Sequence, residues 1–158
     1  MIEDEYKNRL TKKFLKQVAM KVLEAEQTGD NVELGILITS QEKIRELNRE
    51  YREKDEPTDV LAFQMITEQV QKAIDLFIVP PDNIRHLGEV VISYPQAVIQ
   101  AREHKHTVKK EIAVLLIHGI LHLLGYDHEK PSDERKMKPR EEAILELVTR
   151  EDTEEFTR

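Results

Sequence analysis

Cysteine is absent from all 158 residues, so neither disulfides nor thiolate metal sites can contribute to this fold, and nothing points to an oxidising compartment. No uninterrupted apolar stretch approaches the roughly 20 residues that a membrane-spanning helix needs. The first residues, Met1-Ile-Glu-Asp-Glu-Tyr-Lys, carry acidic groups and lack the apolar centre of a signal peptide. These absences predict a cytoplasmic protein with no membrane partner. An excess of positive charge is also missing: 24 basic against 31 acidic residues give a net charge of −7, which argues against binding nucleic acid through the whole surface. Basic residues are concentrated locally, however. Ala101 to Lys110 holds four Lys or Arg and two His against one Glu, whereas the tail from Glu141 is mostly acidic.

What the sequence does contain is the stretch His118-Gly-Ile-Leu-His122-Leu-Leu-Gly125-Tyr-Asp127-His128. Its first two histidines lie in a run, Ile112 to Leu124, that is apolar almost all the way round, which predicts a buried helix. At i and i+4 their Cβ atoms are roughly 6 Å apart on one face, close enough for both imidazoles to reach one ion. Gly125 suits a left-handed helix end, after which the chain can fold back and present His128. A core lined by Ile and Leu offers imidazoles no hydrogen-bond partners, so three at this spacing point to a metal. Imidazole ligands favour zinc, with nickel, copper or iron as alternatives. The spacing is also the skeleton of the metzincin proteases, but the glutamate that serves them as general base is Gly119 here.

Length and a 39% hydrophobic content fit one domain with a single core, residues 1–158. Apolar positions at Tyr6, Leu10, Phe14, Val18 and Val22 predict a helix over 5–27 capped by Asp4. Alternation from Asn31 to Thr39 predicts a half-buried strand. Thr39 with Glu42 resembles a capping box for a short helix carrying Ile44, Leu47 and Tyr51, and Arg52 to Thr58 reads as a loop. Asp59 to Met65 reads as a strand buried on both faces and hence central. Residues 66–86 are an excursion, or a short helix from Thr67 and an edge strand at Leu76–Val79. Leu87 to Ser93 is a further strand, and Ser93 with Pro95 starts the next helix. Ser132 or Asp133 caps a last helix that Pro139 must kink or restart. The fold class is therefore α+β or α/β, with one small mixed sheet packed with helices around the central metal-binding helix.

These residues also resemble a known family, the YbeY-type endoribonucleases of bacterial rRNA maturation. The matching pieces are Leu47-Asn48, Tyr51-Arg52 with Lys54-Asp55, Pro57-Thr58-Asp59-Val60-Leu61 with Phe63, Leu87 to Ser93, and the whole His118 to His128 motif. Ala62 and Gln64 stand where the family usually has serine and proline. The resemblance implies a small sheet on a helical bundle and a metal-dependent, single-strand-specific endoribonuclease. It further implies a role in 16S rRNA 3′-end maturation and ribosome quality control, with the small ribosomal subunit or its proteins as partner.

A bound zinc acidifies its water and stabilises charge on a phosphoryl oxygen, either of which suits phosphodiester hydrolysis. Candidates for the general base are Asp127, Glu89 and Glu111, and Asp127 could equally orient a ligand imidazole. Arg52, whose planar fork binds phosphate in two places, is paired with the metal as the catalytic cation. Arg52, Arg102, Lys105 and Lys109 are the candidate RNA contacts. Two other readings stay open: a metzincin-like zinc peptidase without the usual glutamate, and a non-catalytic assembly factor whose zinc takes Asp127 or His86 as a fourth ligand.

Overall fold

The computed structural model describes residues 1–3, 6–7, 9–29, 31–53, 58–64, 85–126 and 131–151. Its centre is β3 (Arg85–Ser93), which pairs in parallel with β1 (Val32–Thr39) and antiparallel with β2 (Val60–Gln64), giving the order β1-β3-β2. Helix α1 (Lys12–Ala25) precedes β1, and α2 (Gln41–Arg52) follows it. After β3 come α3 (Tyr94–Glu103), α4 (Val108–Leu123) and α5 (Pro131–Glu151). A mixed three-stranded sheet with five helices among the described residues makes this an α+β domain.

Among the described residues β3, and not β2 as its sequence predicts, is the central strand. The four successive apolar residues of β2 reflect two helices, one on each face. Val60 and Ala62 join the main core against α4, while Leu61 and Phe63 join Ile44, Leu47 and Val91 beneath α2. An edge strand covered on both sides has the same apolar pattern as a central one. The strand runs through Ala62 and ends at Gln64.

Several boundaries differ from the sequence reading for local reasons. α1 starts only after Thr11, whose hydroxyl accepts the Phe14 N–H at 3.1 Å, although Tyr6 and Leu10 are buried as the periodicity requires. Before it, Ile2 bridges to Ile38 and Tyr6 stacks on Tyr94 with ring centroids 4.8 Å apart. Thr39 stays in β1 and donates its hydroxyl to Glu3, so Ser40 caps α2 and accepts the Lys43 N–H at 3.2 Å. Arg52 is the last residue of α2 and not part of a loop; Glu53, in the left-handed conformation at φ 57°, ends the helix. Ser132 and Asp133 lie inside α5, which begins at Pro131 and continues through Pro139 without a restart. Asp4 and the helix and strand expected within 66–84 lie outside the described residues.

The main core gathers α1, α3, α4, α5 and one face of the sheet. α4 approaches that face unusually closely at Gly119, where a Cβ would lie 2.7 Å from Val90 Cγ1 and 3.1 Å from Val90 Cγ2. No helix among the described residues is long and apolar enough to cross a membrane.

Candidate metal centre

Between Glu111 and Leu123 the central helix is buried at every position except Val114, His118 and His122. These are spaced i, i+4, i+8, so one stripe of an otherwise dry helix reaches the surface, and both imidazoles lie on it. Thr107 starts the helix by accepting the Lys110 N–H at 3.2 Å, and Gly125, at φ +110°, turns the chain away after it. The helix begins four residues before the predicted apolar run, so Lys109 lies in its first turn. His128 and Asp127 fall outside the described residues.

The His118 ring is oriented by a residue the sequence reading did not single out. Its Nδ1 is 2.5 Å from the Glu141 Oε1 of α5. A carboxylate on Nδ1 keeps the proton there and leaves the Nε2 lone pair for a cation, the arrangement by which metal-ligating histidines are commonly held. Two imidazoles one turn apart, one of them carboxylate-supported, thus fit a zinc-type ion by the chemistry of the donors. The Glu141 hydrogen bond raises the His118 pKa above the ordinary histidine value, against burial, which lowers it; the charges of Glu141 and Asp59 add to the rise. Protons therefore compete with a cation for Nε2, and acidification favours the proton.

Glu141 is aimed by its chain neighbour. Arg140 donates Nε to Glu26 Oε1 at 2.8 Å and Nη2 to the Ala25 carbonyl at 3.1 Å, fastening α5 to the end of α1. The Tyr126 hydroxyl donates to Glu26 Oε2 at 3.1 Å, so the chain leaving α4 is tied to the same carboxylate. Glu141→Ala is expected to weaken zinc binding about 10- to 100-fold while leaving the fold intact, as the loss of a ligand-orienting partner does. Competition of the two proteins against a calibrated chelator measures this, with unchanged affinity excluding the role.

Asp59 is a second residue that local patterning did not mark, although it stands in the Pro57 to Leu61 match. Its carboxylate acts on His118 electrostatically and accepts the Val60 N–H at 2.8 Å and the Gln100 Nε2 at 3.2 Å. Of the other candidates, Glu89 pairs with Phe63 and packs on Gly35, on the α2 side of the sheet and away from α4. Glu111 is buried two turns before His118. It lies on the same face of α4 as His118, seven residues earlier. His86 lies in β3 with Nδ1 3.0 Å from Glu33 Oε2, on the side of β1 opposite Leu34 and Ile36. Arg102 lies in the last turn of α3, Lys105 occupies the turn at φ 57°, and Lys109 follows in α4, so these three share one corner. That corner also contains a possible His-His-Glu metal group: the ligand atoms of His104, His106 and Glu111 lie within 4.8 Å of one another.

A mixed sheet backed by a buried helix, with two imidazoles along its one open stripe and one of them held by a carboxylate, is the build of a metal-dependent hydrolase. The family model described as Endoribonuclease YbeY matches residues 1–149, and the chain belongs to that family. Endoribonuclease YbeY of Dehalococcoides mccartyi is 47% identical over 150 residues, 94% of each chain. The Bacillus cereus protein of that name is 39% identical over 145 residues, covering 92% of this chain and 88% of its own. Among solved structures, a Thermotoga maritima protein determined in solution matches with a TM-score of 0.61 and 31% identity, over 92% of this chain and 87% of that one.

Proposed function

We propose that this protein is a zinc-dependent, single-strand-specific endoribonuclease of the cytoplasm, acting in 16S rRNA 3′-end maturation and ribosome quality control. The small ribosomal subunit is the partner that delivers its substrate. The observation that carries the reading is the stripe on α4, where His118 and His122 reach the surface of a buried helix and Glu141 holds the His118 ring. His118, His122 and His128 are the ligands in this proposal. A zinc-type ion there supplies Lewis acidity towards a phosphoryl oxygen and acidifies a water.

The protein's own groups do the rest. Glu141 keeps the His118 proton on Nδ1, and Arg52 binds the non-bridging phosphate oxygens with its two-pronged fork. Asp127 takes up the proton released by the attacking group. Arg102, Lys105 and Lys109 hold the flanking backbone of the RNA, so affinity falls as salt rises.

The peptidase alternative has a physical obstacle at Gly119. A glutamate at that position would begin with a Cβ 2.7 Å from Val90, in the contact between helix and sheet. Incubation of tag-free protein with a single-stranded rRNA fragment and with unfolded casein separates the two readings. RNA cleavage that a chelator stops and zinc restores is the expected result. Chelator-sensitive casein cleavage with intact RNA would overturn it.

A further inference from the structure

We infer that the corner between α3 and α4 is a second cation site, at which His104, His106 and Glu111 bind one zinc-type divalent ion independently of the His118 and His122 stripe. A single oxygen, Glu111 Oε2, faces both rings: His104 Nδ1 lies 3.0 Å from it, and His106 Nε2 makes a still shorter contact. The two rings meet edge to face with centroids 5.5 Å apart. Lys105, the residue between them, takes a left-handed φ of 57°, uncommon for a residue with a side chain, and the reversal brings both histidines to one carboxylate.

The carboxylate itself argues for a cation. The Glu111 side chain is only 2% exposed, and a buried charge is costly unless an opposite charge matches it. A protonated imidazole can match that charge, and so can a divalent ion between the three donors, which in addition forms a bond to each of them. Ligand atoms around tetrahedral zinc stand about 3.3 Å apart when each bond is about 2.0–2.1 Å, so modest ring shifts open the required space. Two nitrogens and one oxygen select zinc, cobalt(II) or nickel over magnesium and calcium, which prefer oxygen alone. With His104 56% exposed, the fourth position opens to solvent and can take water or an anion.

The two sites are separate. Glu111 precedes His118 by seven residues, two turns or about 10 Å along the axis, well beyond the roughly 4 Å between metals that act as one clamp. A cation here would staple the end of α3 to the first turn of α4, beside Arg102 and Lys109.

The test is equilibrium dialysis of tag-free, metal-stripped protein against micromolar cobalt(II), together with thermal unfolding. Two equivalents are expected in the wild type, and one in the His118→Ala/His122→Ala protein. His104→Ala removes an exposed ring and should not disturb folding. It is expected to weaken the second equivalent by at least about tenfold, as loss of one of three ligands does, and to leave the first in place. Cobalt should raise the unfolding midpoint of the His118→Ala/His122→Ala protein, and His104→Ala on that background should abolish the rise. A single equivalent in the wild type that the His118→Ala/His122→Ala protein loses, or a second that His104→Ala leaves unchanged, overturns the inference. Failure of the His118 and His122 reading would appear instead as a first equivalent insensitive to their replacement.

Discussion

His118→Ala and His122→Ala are expected to lose RNA cleavage by at least about a thousandfold, about 4 kcal/mol of transition-state stabilisation, and to lose one equivalent of bound zinc with it. Arg52→Ala should fail differently. Arg52 stands at the end of α2, where truncating a side chain rarely costs much stability, so fold and metal content should both persist. What it removes is a charge-assisted hold on phosphate, worth on the order of 3 kcal/mol or about a hundredfold in rate. Zinc content and cleavage rate measured on the same preparation of each variant distinguish the roles. Near wild-type cleavage by Arg52→Ala would move the phosphate contact to Arg102, Lys105 or Lys109. Full zinc occupancy in both histidine variants would remove the ligand assignment.

Gly119→Glu is expected not to fold, or to lose more than about 4 kcal/mol of stability, because two costs combine. The Cβ meets Val90 Cγ1 at 2.7 Å and has Val60 Cγ2 3.5 Å away, in packing that cannot yield without parting α4 from the sheet. The carboxylate would then be forced into an apolar contact with no partner. Gly119→Ala isolates the first cost. Overpacking costs typically 1–3 kcal/mol and the gain in helix propensity returns about 1, so a small net loss is expected. Val90→Ala on the Gly119→Ala background should recover much of it by making room. Urea unfolding of the four proteins reads these differences. A Gly119→Glu protein with wild-type stability would show that the contact between α4 and Val90 yields to a side chain.

The central helix was legible because two signals coincided: a run apolar on all sides, and two imidazoles that such a run cannot satisfy. β1, α3 and the strand nature of β2 and β3 followed from period and capping chemistry. The position of β2 did not. Burial on both faces records how many layers touch a strand, not how many strands flank it, and α2 supplied the second layer. Helix starts slipped where a hydroxyl had a tertiary partner, as Thr39 has in Glu3. Glu141 was invisible for a related reason. It stands 23 residues from His118 on another helix, and the contact depends on the Arg140 attachment to Glu26 and Ala25, which no local pattern encodes. The triad at the α3–α4 corner lies within eight residues, yet the sequence offered that corner's lysines and arginine as RNA contacts and Glu111 as a candidate base without joining the two histidines to it. The left-handed turn at Lys105 and the burial of Glu111 are what make it a cluster.

The burial of α4 has one more consequence. Most globular proteins carry their functional side chains on loops that can breathe while the core stays shut. Here the backbone that presents His118 and His122 is itself the middle of the core, with Leu116, Ile117, Ile120 and Leu121 wholly enclosed around them. The carrier of the ligands is thus the least open part of the molecule, and its amide hydrogens are expected to be among the slowest to exchange. An ion seated there is expected to slow the exchange that depends on global unfolding, since it binds the folded state alone, while its release leaves the geometry of the pair preserved for the next.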